Sequence, residues 1–347
     1  MTRPGADAPT GWLVEPGIGE TRAALVADDR LLALRLLRDA DPVQPGALFG
    51  ARLRERVGPN RARVDLGDGL DALIQPCPAL PEGALLAVEV SRASLPEPGR
   101  RKPAQVRARP DLTPAAPGLI AAAPDLATAT LWDGLPVRRV ARLPEALGVD
   151  EALEAGITGA VPFAGGQLWL ERTRAGLVID VDGSGPADAL NVAAAHAIAG
   201  ALRLYDIGGP VMIDFLGSNS RAGRQAVAEA FDAASAADPR PCERTAINGF
   251  GLMQVIRPRP RASVIDQLCG TRRAAASDET LALALLRAAA RAEGAGACRL
   301  VCPPAVAAWL EARPALTQML ARQRGAAVSV VAAADASGYG YAHVSPL

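Results

Sequence analysis

The sequence predicts a multidomain protein of mixed α+β and α/β structure, and three observations support this fold class. Its 347 residues exceed the size of one ordinary domain. Short strand-like segments separated by turn residues fill roughly the first hundred positions, whereas apolar strands alternate with Ala-rich helical segments from about residue 160 onward. Half of the residues are hydrophobic, which is sufficient for sizeable cores.

The N-terminal segment predicts a β-hairpin. Two apolar runs between residues 22 and 38 are separated by Asp28, Asp29 and Arg30, which are typical of a turn. We therefore expect residues 1–42 to form a small β element that packs with the core.

Residues 43–95 predict a small closed β-barrel. Four strand-like segments, at 47–57, 61–66, 68–74 and 84–90, follow one another at the spacing of a barrel. Arginines alternate along the first two segments, and we call the following five residues the arginine stripe: Arg52, Arg54, Arg56, Arg61 and Arg63. Residues 96–158 are expected to begin as a Pro-rich linker that contains Arg101 and Lys102.

Two further units are expected after residue 158. Residues 159–268 alternate strand and helix patterns, with helices predicted at 187–204 and 222–237, and are expected to form an α/β core. Residues 275–347 repeat the alternation on a smaller scale, with helices near 278–293 and 304–321, and predict a small C-terminal α/β domain.

Composition excludes several classes of function. Basic and acidic residues both number 37, so net charge alone does not hold the chain on nucleic acid or membrane. Lys102 is the only lysine and has no phosphate-binding glycine loop around it, and only two histidines are present. The five cysteines, the charged start and the lack of a long apolar run predict a cytoplasmic protein with reduced thiols and no membrane span.

Two aspartates end apolar strand-like segments and are candidates for chemistry. Asp180 and Asp214 are separated by the length of one strand-helix-strand unit, which would bring both carboxylates to the same sheet edge. A hard divalent cation such as Mg²⁺ suits an adjacent pair of carboxylates. The alternative is that each aspartate only caps a helix or turn, and the spacing alone leaves this open.

Three residues close to these aspartates in the sequence bear on whether they form a metal site. Asp182 shares the face of Asp180 by the two-residue period of a strand, and a third acid favours a metal site. Asn191 and His196 lie on different faces of the next helix, so at most one faces the site. We favour Asn191 in a supporting role and expect His196 to be structural or exposed.

Four blocks of sequence resemble the catalytic core of the ribonuclease E/G family. In order they read DVDGSG at 180–185, ALRLYDIGG at 201–209 with Asn191 before it, MIDF at 212–215, and INGFGLMQVIR at 247–257. The arginine-bearing barrel resembles the RNA-binding OB-fold domain of that family, and the segment from Ser277 resembles the start of its small C-terminal domain.

The resemblance implies a DNase I-like catalytic domain at 159–268 and a reduced sensor and RNase H-like region within 96–158. It implies an endoribonuclease that uses Mg²⁺, with Mn²⁺ as an alternative, and cleaves single-stranded RNA to 5′-phosphate and 3′-hydroxyl ends. Asp180 and Asp214 would bind the metal, with Asp182 as a third catalytic residue. The RNA would contact the arginine stripe, Arg101, Lys102 and Arg257.

The sequence also departs from the family pattern. Asp182 stands where the family has Asn, and only Cys269 remains of the zinc-binding motif, so neither zinc nor a zinc-linked dimer is expected, while another homo-oligomer stays open. Arg63 and Leu73 replace aromatic residues, and the 5′-sensor segment is short. The alternative function is therefore a catalytically weak RNA-binding scaffold or regulator.

Overall fold

The computed structural model describes residues 10–38, 42–217 and 220–344. Within these residues the strands are β1 Gly11–Glu15, β2 Glu20–Ala27, β3 Arg30–Arg38, β4 Leu48–Gly58, β5 Arg61–Gly67, β6 Leu70–Ile74, β7 Leu85–Arg92, β8 Leu95–Glu97, β9 Arg100–Lys102, β10 Gln105–Ala108, β11 Gly118–Ala121, β12 Leu131–Trp132, β13 Leu135–Arg139, β14 Ala160–Phe163, β15 Gly166–Arg172, β16 Leu177–Gly183, β17 Gly209–Asp214, β18 Glu243–Arg244, β19 Leu252–Arg257, β20 Cys298–Cys302, β21 Val328–Ala332 and β22 Tyr341–Val344. The helices of the same residues are α1 Val149–Thr158, α2 Ala187–Leu204, α3 Arg221–Ser235, α4 Val264–Cys269, α5 Asp278–Arg291, α6 Pro304–Glu311 and α7 Pro314–Arg324, with a 3₁₀ turn at Glu145–Leu147.

The predicted N-terminal hairpin is confirmed. Strands β2 and β3 pair antiparallel, and Asp28 and Asp29 form the turn with positive φ angles of 49° and 57°. They belong to a five-stranded sheet of order β12-β13-β1-β2-β3, in which β1 and β13 are parallel. Residues 1–9 and 39–41 of the predicted 1–42 element lie outside the described residues.

The predicted closed barrel is also confirmed. Its strands follow the order β4-β5-β6-β10-β7, and β4 pairs with β7 as well as with β5, which closes the barrel. Only β6 and β10 are parallel, an arrangement compatible with an OB-like fold. Alternate residues such as Leu53 and Val64 are fully buried inside it, as the alternation of apolar and polar residues along these strands predicts.

The prediction of a linker directly after residue 95 is wrong. Strands β8 and β9 form a short hairpin, and β10 returns to the barrel as its fifth strand, so the barrel extends to Ala108. The prolines do not prevent this pairing because they lie at Pro96, Pro98 and Pro103, on a two-stranded hairpin or outside the strands.

A six-stranded sheet of order β14-β15-β16-β17-β19-β18 forms the centre of the predicted α/β core. Strands β16 and β17 are parallel and are connected by α2, whereas the other pairs are antiparallel. The alternation along β16 and β17 buries Ile179 and Ile213 on one face, where α2 contributes Ile198 to the same core. The opposite face of the sheet is open.

Helix α2 lies between the six-stranded sheet and the N-terminal sheet. It contacts β3 as well as β14, β15 and β16, and one hydrophobic core includes Leu34 from β3 together with Ile198 and Ile179. Arg172 of β15 joins the six-stranded sheet to the hairpin of β8 and β9 and to the segment around α4. Its guanidinium is 5% exposed, forms an ion pair of 3.0 Å with Asp266, and donates to the carbonyl oxygens of Pro96, Gly270 and Arg272.

The C-terminal unit is a three-stranded sheet, β21-β20-β22, packed with α5, α6 and α7. The single helix expected at 304–321 is instead two helices, because Pro314 cannot continue the first helix and begins the second at its N1 position. Arg287 of α5 binds Glu15 and the backbone oxygen of Glu20, which joins this unit to the N-terminal sheet. The division into units at residues 42, 95, 158 and 268 otherwise stays a prediction.

In the part of the chain that the structure describes, no helix combines the length and the apolar character needed to cross a membrane.

Candidate active site

Asp180 and Asp214 are direct neighbours on adjacent parallel strands. The pairing of β16 with β17 places the Cα of Asp180 opposite that of Asp214, one strand spacing of about 4.8 Å away. Paired residues of neighbouring strands point to the same face of a sheet, and both aspartates are exposed on the open face. The sequence-based expectation that the two would meet at one place on a sheet is therefore confirmed.

Local sequence explains why both carboxylates face solvent. In Leu177–Gly183 and in Gly209–Asp214 the burial alternates, with Ile179, Val181, Val211 and Ile213 inside. The alternative that the aspartates are helix caps is not supported, because α2 is preceded by Pro186 and α3 is capped by Ser220. The two acids are free for a role other than capping.

The electrostatics of this site favour a cation. Partial burial, the neighbouring Asp214 and then Asp182 together raise the pKa of the Asp180 carboxyl above its ordinary value. Neighbouring negative charges are stabilised when a proton or a metal ion lies between them. The site therefore has the charge pattern that a divalent cation would relieve.

The donor set fits Mg²⁺ bound by two protein carboxylates. Mg²⁺ prefers oxygen ligands and commonly uses one or two carboxylates, with water and phosphate oxygens at the remaining positions. Over residues 10–38, 42–217 and 220–344, no group of three or more His, Cys, Asp or Glu side chains forms a metal-binding cluster. Asp182 lies two residues beyond Asp180 on the same exposed face, opposite Gln167, and contributes charge to the site.

Asn191 supports the end of β17. It is 1% exposed; its amide nitrogen donates to the backbone oxygen of Leu216 at 2.7 Å, and its amide oxygen accepts from the Leu216 nitrogen at 3.1 Å. Leu216 is two residues after Asp214, so α2 fixes the backbone that leaves the site. His196 of the same helix is exposed.

A tight turn also borders Asp214. The backbone oxygen of Gly251 accepts a hydrogen bond from Phe215, and the side-chain oxygen of Asn248 accepts from Phe250 and Leu252. Gly251 has a φ of 88°, and a β-carbon there would lie 2.8 Å from the Phe215 oxygen. Glycine is therefore required at this position.

Two exposed aromatic side chains near the acid pair were not identified as site residues from the sequence. Trp169 of β15 is 42% exposed and is paired in register with Asp180, and Phe250 of the turn is 86% exposed. The signal for Trp169 was its alternation with the buried Leu168 and Leu170, which assigns it to the open face.

The arginine stripe lies on the outer side of the barrel. Arg54 pairs with Asp65 at 2.6 Å, Arg52 donates to the Gly83 oxygen, and Arg56 donates to backbone oxygens of residues 78 and 80. The side chains of Arg61 and Arg63 are exposed and form no hydrogen bond or ion pair with any residue that the structure describes. These two are the most available of the five for a new contact.

The remaining predicted RNA contacts differ in their environments. Arg101 is exposed, and Lys102 is half-buried, 3.8 Å from Glu97, where burial lowers the pKa of its amine. The prediction for Arg257 is wrong: it is 3% exposed, binds the carboxylate of Asp238 and donates to the Ile207 oxygen at 2.9 Å. Its position on β19 turns it into the core, where RNA does not reach it.

Three of the five cysteines are buried in the protein interior. All five thiols are free, and Cys298 and Cys302 are buried in the core of the C-terminal unit, as expected from their apolar strand. Cys269 is buried at the end of α4, and this burial raises the pKa of its thiol.

The open face of the sheet also contains a cavity of about 470 Å³. Val178, Met212 and Gln254 line it, and each lies two residues along its strand from the row that contains Asp180, Asp214 and Leu252. The cavity therefore lies beside the acid pair on the open face, in the next row of side chains along the strands. Its volume is that of a small-molecule site.

Part of the chain is similar in sequence to known proteins. Residues 135–260 match the sequence model of the Ribonuclease E/G family. The chain is 32% identical over 128 residues to a chloroplastic Ribonuclease E/G-like protein of Arabidopsis thaliana, which covers 33% of this chain and 13% of that protein. It is 34% identical over 118 residues to Ribonuclease G of Salmonella typhimurium (strain SL1344), and 32% identical over 118 residues to Ribonuclease G of Escherichia coli (strain K12).

The match to each Ribonuclease G covers 30% of this chain and 24% of the relative, so the similarity spans about a quarter or less of the length of these proteins. The matched residues 135–260 contain Asp180, Asp182 and Asp214. The resemblance inferred from the sequence is therefore confirmed, and it is carried by the part of the chain that holds the acid pair.

Proposed function

From the relationship of residues 135–260 to the ribonuclease E/G family, we propose that this chain is an endoribonuclease that cleaves single-stranded RNA with the help of Mg²⁺. The observation that carries the proposal is the direct pairing of Asp180 with Asp214 on the open face of the central sheet. Asp180 and Asp214 would hold the cation, and Mn²⁺ would satisfy the same oxygen ligands.

The chemistry proposed is hydrolysis of a phosphodiester. A bound Mg²⁺ would neutralise charge on the scissile phosphate and lower the pKa of a coordinated water. Attack in line with the 3′-oxygen leaving group would give 5′-phosphate and 3′-hydroxyl ends. Asn191 keeps the backbone after Asp214 in place through Leu216. Asp182, which cannot donate a hydrogen bond when ionised, would restrain how closely a phosphate approaches.

The proposal also assigns a fold family to the central sheet and to the barrel. We take the six-stranded sheet with its helices on one face as a DNase I-like catalytic domain and the closed barrel as an OB-fold that binds RNA. The arginine stripe, Arg101 and Lys102 would contact phosphates. The cytoplasm is the proposed location, and a homo-oligomer without a zinc link is the proposed form of any assembly.

Cleavage of a 5′-labelled single-stranded RNA tests the proposal. We expect cleavage with Mg²⁺, none after chelation by EDTA, and a loss of at least about 100-fold in Asp180→Asn and in Asp214→Asn, since each substitution removes a carboxylate ligand. Asp335→Asn, which makes the same chemical change at an exposed position in the C-terminal unit, is expected to cleave normally. Undiminished turnover in Asp214→Asn would refute the metal assignment.

A second candidate function is an RNA-binding scaffold or regulator with weak catalysis. The observation that favours it is Asp182, which adds charge beside the acid pair where the family pattern has Asn. The same assay separates the two functions, because a scaffold would bind the RNA tightly and leave it intact in Mg²⁺ and in Mn²⁺.

A further inference from the structure

Large exposed aromatic side chains are few in this protein and are unevenly placed. Within the described residues they are Trp169, Phe250, Tyr339 and Tyr341, with exposed fractions of 42%, 86%, 42% and 57%. The two tyrosines belong to the end of the C-terminal unit, whereas Trp169 and Phe250 both border the acid pair. An aromatic ring left in water beside a candidate active site is available for a contact with the substrate.

Trp169 borders the Asp180 side of the pair. In the antiparallel pairing of β15 with β16, Trp169 is directly opposite Asp180, so the two side chains lie on the same face about 5 Å apart at their β-carbons. The residue opposite Trp169 on its other side is Ala160, whose methyl group covers little of the indole. With 42% of Trp169 exposed, part of its ring system is accessible from the open side of the sheet.

Phe250 borders the Asp214 side. It immediately precedes Gly251, where a β-carbon would lie 3.9 Å from the Oδ1 atom of Asp214. The turn is held by the hydrogen bonds that Asn248 accepts from Phe250 and Leu252, and Leu252 is paired in register with Asp214. The order across the open face is therefore Trp169, Asp180, Asp214 and the turn with Phe250.

We infer that Trp169 and Phe250 stack on unpaired bases of the substrate, one on each side of the phosphate held at the acid pair. Unpaired bases present π-faces that aromatic side chains bind without strong sequence preference, whereas bases inside a duplex are already stacked. The inference rests on the proposed function, in which a single strand of RNA is the substrate. According to this inference, the open face of the sheet that carries the acid pair, here called the catalytic face, is the surface that distinguishes single-stranded from double-stranded RNA.

The barrel does not offer the same contact. Among the described residues its outward side has no large exposed aromatic side chain; Arg63 is exposed there and Leu73 is half-buried. The barrel is therefore suited to phosphates, and the catalytic face is suited to bases. The two surfaces would contribute charge-dependent and base-dependent binding, respectively.

Equilibrium binding in EDTA tests the inference without requiring cleavage. The full chain is titrated with a fluorescein-labelled 12-nucleotide single-stranded RNA and with a strand of the same length that lacks bases. We expect Trp169→Ala and Phe250→Ala each to weaken binding of the normal strand about 5- to 100-fold and to leave the abasic strand unaffected. Trp169→Phe should keep most of the affinity, whereas Trp169→Leu, which is apolar without a π-face, should not.

Two further readouts report the contact directly. Stacking should quench indole fluorescence when RNA is added, and this quenching should be reduced in Trp169→Phe although the affinity is retained. Tyr341→Ala removes an exposed aromatic ring from the C-terminal unit and serves as the matched control, with unchanged affinity expected.

Several results would overturn the inference. Equal losses on normal and abasic strands, unchanged affinity in both alanine variants, or no RNA binding by the unaltered chain would each do so. A change of oligomeric state in Trp169→Ala with unchanged RNA affinity would assign this face to a second copy of the chain instead. RNA binding with the expected base dependence but no cleavage in Mg²⁺ would refute the nuclease proposal and leave the stacking inference intact.

Discussion

Asn191 and Leu216 are joined by a pair of hydrogen bonds that ties helix α2 to the chain leaving Asp214. The Asn191 side chain satisfies both the backbone N–H and the backbone C=O of Leu216, at 3.1 Å and 2.7 Å. The carboxamide of Asn donates through its nitrogen and accepts through its oxygen, so one side chain can serve both backbone groups. The position of one proposed metal ligand therefore depends on a residue that is not itself at the surface.

Asn191→Leu is expected to destabilise the protein and to reduce cleavage. The substitution keeps a similar volume but leaves two backbone groups without partners, at a cost of about 1–3 kcal/mol for each group that stays buried. Urea unfolding measures the loss, and kcat measures the displacement of Asp214. Gln225→Leu, which replaces an exposed amide on α3, is the control and should change neither value beyond about 0.5 kcal/mol.

Asp182→Asn is expected to increase RNA cleavage. The change removes one of the charges that raise the pKa of Asp180 and introduces a hydrogen-bond donor near the phosphate. We expect kcat/KM to rise about 3- to 10-fold, which corresponds to about 0.7–1.4 kcal/mol, the net contribution of one ordinary hydrogen bond. A decrease in kcat/KM would show that the Asp182 carboxylate itself takes part in the reaction.

Removal of arginines from the stripe should make RNA binding less dependent on salt. Each phosphate contact that is lost should reduce the slope of log K against log salt concentration by about 0.7 for a single strand. Arg61→Ala and Arg63→Ala are the first choices because both side chains are exposed and unpaired within the described residues. Arg299→Ala, an exposed arginine of β20, should leave the slope unchanged.

Glu20 should make stability depend on acid pH. Burial opposes its ionisation, but Arg38, Arg22 and Arg287 together hold the pKa of the carboxyl below its ordinary value. A lowered pKa in the folded state stabilises the protein above the unfolded-state value of about 4.5, and this stabilisation declines as the pH falls through the folded-state value.

Glu20→Gln leaves the buried guanidinium groups without their carboxylate and should cost about 3–5 kcal/mol at pH 7. Urea unfolding at pH 7, 5, 4 and 3 should show the difference from the unaltered chain shrinking below pH 4.5. Glu145→Gln, which affects an exposed pair with Arg142, should have little effect at any of these values. A difference that is constant from pH 7 to pH 3 would contradict the assignment.

Arg172→Lys should be strongly destabilising despite the retained charge. The guanidinium of Arg172 serves Asp266 and three backbone carbonyls at once, and an ammonium group has neither the planar fork nor enough donors in the required directions. We expect a loss of about 3 kcal/mol or more in thermal or urea unfolding, with Arg139→Lys, whose side chain is exposed, as the control.

Local pattern was sufficient for β16, α2 and β17 and for the acid pair that these strands carry. The alternation of Ile179, Asp180 and Val181 assigns the aspartate to the face opposite the core, and one helix of 18 residues between β16 and β17 makes those strands parallel neighbours. These features depend on periodicity and connection length, which are properties of short stretches of chain.

Contacts between distant segments decided the rest. From the sequence we expect Arg257 at the surface, but in the structure its guanidinium is inside the core, where it binds Asp238 and the backbone oxygen of Ile207. Strand β10 completes the barrel by pairing with both β6 and β7, which are distant from it in the sequence. Trp169 becomes a neighbour of Asp180 through strand register. In each case the environment of a side chain is set by partners that its own local sequence does not contain.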